Sequence, residues 1–474
     1  FEVMKYDYED LYAAKKTYGQ DINTSLGNAA DPIDADQKLQ EDALMSYVAS
    51  VNYSYDDKYY ASFSFRRDGS SRLSPDTRWG NFWSLSASWR LSQERFMQPL
   101  KSVLSDLKLR ASYGVNGNLP SSYYGYQSTY TTGAFYSGKP SPWESTLGNE
   151  ELTWEKNYAL NLGLDIGLFS RVNVSLDWYT RTTKDLLMSK QLNSISGFSS
   201  LLTNVGQMRN TGVELEVRSN NIKTKDFSWT TAFNLSHNKN KILKLADLPW
   251  FVDGRYVRKE GYPFNTIYLR EYAGVDPETG SALYYDNQQD ENGNYTKNKV
   301  TDPGQASPIP LKDITPTISG GFMNTFNYKF IDLSFNLSYS FGGYSYDNAS
   351  YILQDDGYSV ISNKSTEQRR RWQKPGDITD VPRFVYGNKK GGNYNSSRAI
   401  HSTDHIRLKS LILGLNAPKA WLQKLGIGNA RIYFSGTNLL TWAAYDQYDP
   451  EMSGVVGFYT PPLKTYAFGL ELKF

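Results

Sequence analysis

Along most of this chain apolar and polar residues alternate one by one, the period at which successive side chains of a strand point to opposite faces. From Met45 the apolar set is Met45, Tyr47, Ala49, Val51, Tyr53 and Tyr55, interleaved with Ser46, Val48, Ser50, Asn52 and Ser54. Tyr59, Ala61, Phe63 and Phe65 then alternate with Tyr60, Ser62, Ser64 and Arg66, with Asp56 to Lys58 as the tight turn of a hairpin. The same grammar recurs in Trp83 to Leu91, Leu107 to Val115, Tyr158 to Leu168, Val172 to Trp178, Val213 to Val217, Phe227 to Leu235, Ile331 to Phe341 and Tyr466 to Phe474. With weaker runs near Tyr123, Tyr262, Thr315, Ile406 and Arg431, the alternation predicts roughly 16 strands, many near the ~9–11 residues a tilted strand needs to cross a bilayer.

The links alternate in length. Asp56-Asp57, Ser170-Arg171 and Tyr328-Lys329 are tight turns, whereas the stretches near 10–43, 116–151, 273–313 and 343–400 are long and rich in Gly, Asn, Asp, Tyr and Ser. Short turns on one rim and long loops on the other describe an outer-membrane β-barrel with its loops outside the cell. A soluble sandwich also alternates, but the Ser- and Asn-rich faces here would make too polar an interior to pack. The expected fold is therefore all-β, a membrane-spanning antiparallel barrel over residues 1–474.

Composition agrees with such a wall. Aromatics make up 15% of the residues although the mean hydropathy is −0.57, as expected where an apolar, aromatic-girdled face backs onto a wet one. The absence of cysteine excludes disulfides, thiolate metal sites and cysteine nucleophiles, and a formal charge of +2 gives no argument for nucleic acid. No apolar run reaches the ~18 residues of a transmembrane helix, and Phe1 to Asp10 does not read as a signal peptide. Phe1 to Tyr8 already reads as strand, as though the chain began inside something larger. The last residues put Tyr466, Phe468, Leu470, Leu472 and Phe474 on one face and stop on an aromatic, the pattern of a closing strand that barrel-assembly machinery reads.

Candidate chemistry is sparse. His401 and His405 stand roughly 13 Å apart in extended chain, with no third ligand nearby in sequence, and read as loop residues. Asp286, Asn287, Asp290, Glu291, Asn292 and Gly293 are oxygen-rich, but they lack the spacing of a calcium loop and read as a solvated loop, with adventitious calcium the alternative. Arg66, Arg67, Arg72 and Arg78, and Arg369 to Arg371 beside Trp372, read as rim charges paired with nearby carboxylates, or else as contacts to lipopolysaccharide or an acidic substrate. Tyr123, Tyr124, Tyr126 and Tyr130, with Phe341, Tyr344 and Tyr346, lie where strands run into long loops. They are candidates either to line a substrate cavity or to form the interfacial girdle. There is no nucleophile elbow, and the stretch GAFYSGKP has Pro140 where a phosphate loop needs a hydroxyl, so no catalytic residue or cofactor is expected.

Several blocks, taken together and in order, resemble the SusC/RagA type of TonB-linked outer-membrane transporters of Bacteroidetes. They are Arg66 to Trp89, Leu107 to Asn118, Trp154 to Leu187, Gly206 to Val217, Arg407 to Leu415 (RLKSLILGL) and Ala430 to Glu451, which holds SGTNLLTW and YDPE. The resemblance implies a barrel of about 22 strands with an N-terminal plug, so the plug and first strands are expected to be missing here. It further implies TonB-energised import, through TonB-ExbB-ExbD, of a glycan or peptide nutrient, a SusD-type surface lipoprotein as lid, outer-membrane lipids as surroundings, and a dimer of barrel-lid pairs. A passive porin is the alternative, and a soluble sugar-binding or hydrolytic β protein a third reading.

Overall fold

In the computed structural model, all residues are described except 18–24, 27–29, 32–33, 134, 246–247, 360, 389–394 and 423–425. Fourteen long strands hydrogen-bond to one another in chain order. They are β1 (Glu2–Ala14), β2 (Asp34–Tyr55), β3 (Tyr59–Ser70), β4 (Trp79–Arg90), β5 (Leu104–Asn118), β6 (Glu155–Leu168), β7 (Val172–Lys184), β8 (Gln207–Lys223), β9 (Phe227–Lys244), β10 (Ile318–Tyr328), β11 (Ile331–Phe341), β12 (His405–Asn416), β13 (Asn429–Ala443) and β14 (Thr465–Lys473). The pairings of which the register is defined are antiparallel, such as Tyr55↔Tyr59 across the first tight turn and Tyr328↔Ile331 across a later one. Asp56 and Asp57 both take positive φ, 51° and 55°, at the two central positions of a tight turn that the Lys58 N–H closes onto the Tyr55 carbonyl.

The two faces of these strands differ as the alternation foretold. Leu85, Leu109, Leu176, Leu413, Ile432, Leu440 and Trp442 are all exposed on one face. An apolar surface repeated over strand after strand far exceeds what a water-soluble monomer carries. The opposite face is a ladder of ion pairs. Arg66 reaches Asp68 and Ser46; Arg110 spans Asp165 and Asp177 at 2.8 and 3.0 Å; Arg431 reaches Asp332, which also accepts from Asn416. Such a sheet has no hydrophobic core of its own and suits lipid on one side and water on the other.

Small residues let large rings lie across neighbouring strands. Tyr339 sits opposite Gly320 and Tyr433 opposite Gly469. A Cβ on Gly320 would run into the Asn234 carbonyl and the Tyr339 ring, and one on Gly469 into the Tyr433 ring. Gly320→Val and Gly469→Val in the full-length protein are therefore expected to cut the fraction of folded barrel in outer membranes several-fold, read as heat-modifiable migration on gels. Gly321→Ala is the control, because its added Cβ would meet nothing nearer than 3.4 Å.

Two of the weaker expected strands resolve differently. Tyr123 lies in a turn-rich link and Tyr262 in a bend between two short strands, whereas the run near Thr315 is the wall strand β10, which starts at Ile318. The link expected over 10–43 narrows, because β1 and β2 stay paired from Glu2↔Ser46 to Ala14↔Asp34. That extension carries Asp34, Asp36, Lys38 and Glu41, which do not alternate with apolar residues, so backbone pairing reveals it where side-chain periodicity does not.

The chain forms two compact units: Phe1–Ser88, Ala111–Leu160 and Arg181–Met208 make the first, and Trp89–Arg110, Asn161–Thr180 and Arg209–Phe474 the second. The first holds a small core of Leu73, Phe82, Leu152 and Trp154 beside the link after β5. In the second, the stretch expected as a loop over 273–313 is part of a folded region between Lys244 and Ile318. Trp250–Asp253, Tyr256–Lys259, Thr266–Leu269 and Ile309–Asp313 form a four-stranded sheet, and Tyr272–Val275, Ala282–Tyr285 and Lys299–Val300 a three-stranded one. Ile267, Leu269, Tyr346 and Ala399 are the buried core of that loop domain.

Candidate functional site

The seven aromatic candidates separate by environment. In the first unit Tyr123 lies under the Arg72 guanidinium, 4.1 Å from its ring centre, and Arg72 is held by Asp42 at 2.7 Å. The Tyr124 ring is 6.4 Å from that of Tyr123, and its hydroxyl accepts from the Glu41 N–H. Tyr126 packs instead on the Leu73–Trp154 core, and Tyr130 is 65% exposed on the short strand Thr129–Thr131. In the second unit Phe341 stacks on Tyr339, and Tyr344 lies under the Lys312 ammonium. Tyr346 is 1% exposed, donates to Asn395 Oδ1 and carries Arg255 over its ring, so it is a core residue of the loop domain and cannot touch a substrate. The five carboxyl-terminal candidates Tyr466, Phe468, Leu470, Leu472 and Phe474 are all exposed, with Phe434 of β13 5.3 Å from Phe468.

The centre of the second unit that these aromatics do not mark is built around Arg407. Relative to β11, Lys409 is an extra residue in β12, a bulge that shifts the side-chain phase between Leu408 and Ser410. Counted from Leu411 and Leu413, unbroken alternation would put Arg407 on their apolar face, and the bulge reverses that phase; Arg407 and Lys409 then reach the same partner. Arg407, 3% exposed, donates to Asp449 at 2.8 Å, Glu451 at 2.9 Å and Thr441 at 3.0 Å, and Lys409 reaches Glu451 at 2.6 Å. The His405 ring nitrogen Nδ1 lies 2.8 Å from the Thr403 carbonyl, with Nε2 3.9 Å from Glu451. This network pins the segment after β13 against β12 and borders a cavity of about 700 Å³, also lined by Asn438, Tyr448 and Tyr459. Both halves stand in the stretches RLKSLILGL and YDPE that carried the resemblance, but alternation gives no reason to pair them.

The remaining candidates are accounted for locally. His401 lies flat on Tyr445, ring centres 3.7 Å apart, and Tyr445 donates to Asp347. Burial pushes the His401 imidazole below its ordinary range, Asp347 opposing. Protonation is then easier in the unfolded loop than in the folded one, so the stacking is fully present above about pH 6.5 and weakens as pH falls below it. Protection factors of the amides of Ile400–Ser402, with the pH dependence of intrinsic exchange divided out, are expected to fall between pH 7.5 and 5, and His401→Phe to abolish the fall.

Asp286 accepts from Thr296 and Asn298, and Asp290 from the N–H groups of Asn292 and Asn294. Burial alone would raise the Asp286 carboxyl, but those hydrogen bonds hold it below the usual range. The oxygen-rich segment is thus a hairpin tied across its arms by Asp286 and capped at its turn by Asp290, and among the described residues no three His, Asp or Glu side chains converge. Arg370 pairs with Glu367 and Asp380, and the Trp372 indole donates to the Pro277 carbonyl.

Residues 3–296 match the family model described as TonB-dependent receptor-like, β-barrel. The TonB-dependent receptor P3 of Formosa agariphila is 33% identical over 471 residues, covering 92% of this chain and 46% of that protein. The TonB-dependent receptor SusC of Bacteroides thetaiotaomicron is 31% identical over 93% of this chain and 45% of its own length. The RagAB peptide transporter structure superposes with a TM-score of 0.86 at 30% identity, over 100% of this chain and 52% of that one. This chain therefore spans about half the length of the relatives it matches. With an apolar strand face, a charged one and these matches, the chain belongs to the TonB-dependent receptor β-barrel family of the outer membrane, in its SusC/RagA branch.

Proposed function

We propose that this chain supplies the wall and the external loops of an active importer of a nutrient oligomer, glycan or peptide, energised by TonB-ExbB-ExbD and closed by a SusD-type surface lipoprotein. The observation that carries this reading is the joining, within the second unit, of lipid-suited strands to a folded loop domain with a cavity of about 700 Å³ beside Arg407. A wall alone would suit a pore, whereas a folded domain with fixed charges provides recognition. The similarity to SusC and to a structure described as a peptide transporter supports the class of cargo without choosing between glycan and peptide. Tyr123, Tyr124 and Tyr130 are proposed to meet cargo or headgroups, and Tyr466 to Phe474 to serve barrel assembly. The test is uptake of labelled oligomers by cells carrying the full-length gene, its deletion, or the gene without functional TonB, with native mass spectrometry of the extracted assembly. Uptake lost in both mutants and a co-purifying lipoprotein are expected; uptake that persists without TonB would make the protein a passive channel.

A further inference from the structure

The hairpin first noticed for its oxygen content forms one wall of a second, smaller cavity. About 460 Å³ in volume, it opens between that hairpin and the four-stranded loop sheet. This lies within the ~300–1,000 Å³ of small-molecule pockets, with room for a short oligomer rather than a single ion.

Its surfaces are of two kinds. Trp250, Tyr268 and Tyr295 supply aromatic faces; the Trp250 ring is 44% exposed and stands 6.0 Å from Tyr268 with the planes 49° apart, forming an open aromatic corner. Asn287, Gln288 and Gln289 supply side-chain amides on successive positions of the hairpin. Asn287 is 2% exposed, with a φ of 49°, and its Oδ1 accepts from Lys297 at 2.9 Å. That contact orients the amide and leaves its Nδ2 buried with no partner. A buried amide donor without a partner is unfavourable, so Asn287 brings an unmet donor to the border of the cavity.

We propose that this cavity is a saccharide subsite, taking pyranose units of an oligosaccharide. Aromatic planes match the C–H faces of a sugar ring, and amides, which donate and accept on one group, match adjacent hydroxyls. A peptide strand is the poorer fit. It binds by pairing its backbone with a free strand edge, and here the wall carries Pro308 and Pro310, which have no N–H to give. Asp286, which accepts from the Thr296 and Asn298 side chains across the hairpin, and Asp290, which forms an Asx turn with the Asn292 N–H, shape the hairpin so that Asn287 to Gln289 and Tyr295 border the same space.

The subsite takes its purpose from the importer proposed above, but binding can be measured without transport. Full-length protein, purified in mild detergent, is applied to an immobilised array of plant, algal and animal glycans and, separately, to a tryptic digest of casein. A bound glycan is then titrated by calorimetry. Trp250→Ala and Tyr295→Ala are each expected to weaken that glycan tenfold or more, Trp250→Phe much less, with unchanged thermal melting. Binding to no glycan on the array, binding that survives both alanine variants, or Trp250-dependent capture of peptides instead would each overturn the proposal. Glycan binding without TonB-dependent uptake would count against import and leave the subsite standing, whereas uptake without glycan binding would do the reverse.

Discussion

Arg407→Ala is expected to abolish uptake and to free the segment Tyr445–Glu451 from β12. Arg407 is almost wholly buried and divides its donors between Asp449, itself 6% exposed at the side chain, and Glu451. Removing it leaves the Asp449 carboxylate desolvated without a cation, a loss of roughly 3–5 kcal/mol when one partner of a buried pair is deleted. Lys409 still neutralises Glu451, so the damage should concentrate at Asp449 and along the border of the large cavity. Arg407→Lys should recover little, because a point ammonium cannot serve two carboxylates and Thr441 at once. The measurement is amide exchange of residues 445–452 beside uptake of labelled oligomer. Exchange in Arg407→Ala equal to wild type would show that the segment is held by its own packing and that the network does not shape the cavity.

Arg398→Ala should unfasten the loop domain while leaving the strands of the sheet intact. Arg398 grips Asp356 with two contacts, at 2.5 and 3.2 Å, and Asp356 is fully buried, with Gln368 donating to the same carboxylate at 2.9 Å. Burial pushes the Asp356 carboxyl up despite Arg398, and burial works against the Arg398 charge but is outweighed by Asp356. Deleting the cation again costs roughly 3–5 kcal/mol, here within a domain that ties residues 355–368 to 397–399.

The pH dependence distinguishes this loss from a simple packing defect. Without Arg398, the Asp356 pKa stands still further above its unfolded value, so the folded loop binds the proton more tightly than the unfolded one. Stability of the variant should rise as pH falls through that raised value and on toward the ordinary carboxyl pKa of 3.8. Arg398→Ala with Asp356→Asn should be insensitive to pH over the same window and more stable than the single variant at pH 7.5. Limited proteolysis of the region 343–400 reads both, and equal cleavage of the single and double variants would show that the pair is not what holds the domain.

The sheet was legible because each wall strand is written as a two-residue alternation, and lipid on one face with water on the other enforces it residue by residue. Hence Leu107 to Val115 and Ile331 to Phe341 announce β5 and β11. Where a strand has no continuous apolar face the signal fails, as in Asp34–Glu41, and where the phase slips at Lys409 the alternation counted from Leu411 and Leu413 wrongly puts Arg407 on their apolar face. Loop aromatics were equally ambiguous: Tyr130 and Tyr346 look alike in sequence, yet one is 65% exposed and the other 1%.

What the sequence determined by itself is therefore the class of surroundings, an all-β membrane wall, together with a family resemblance resting on ordered blocks. What only the tertiary structure decided is the chemistry of the loops: which carboxylate Arg407 and Arg398 meet, that Asp286 ties the arms of its hairpin while Asp290 caps the turn, and that Asn287 borders a cavity with Trp250. The reason is physical. Periodicity records a local constraint repeated along one strand, whereas an ion pair such as Arg407 with Asp449 joins residues 42 positions apart and leaves no period to read.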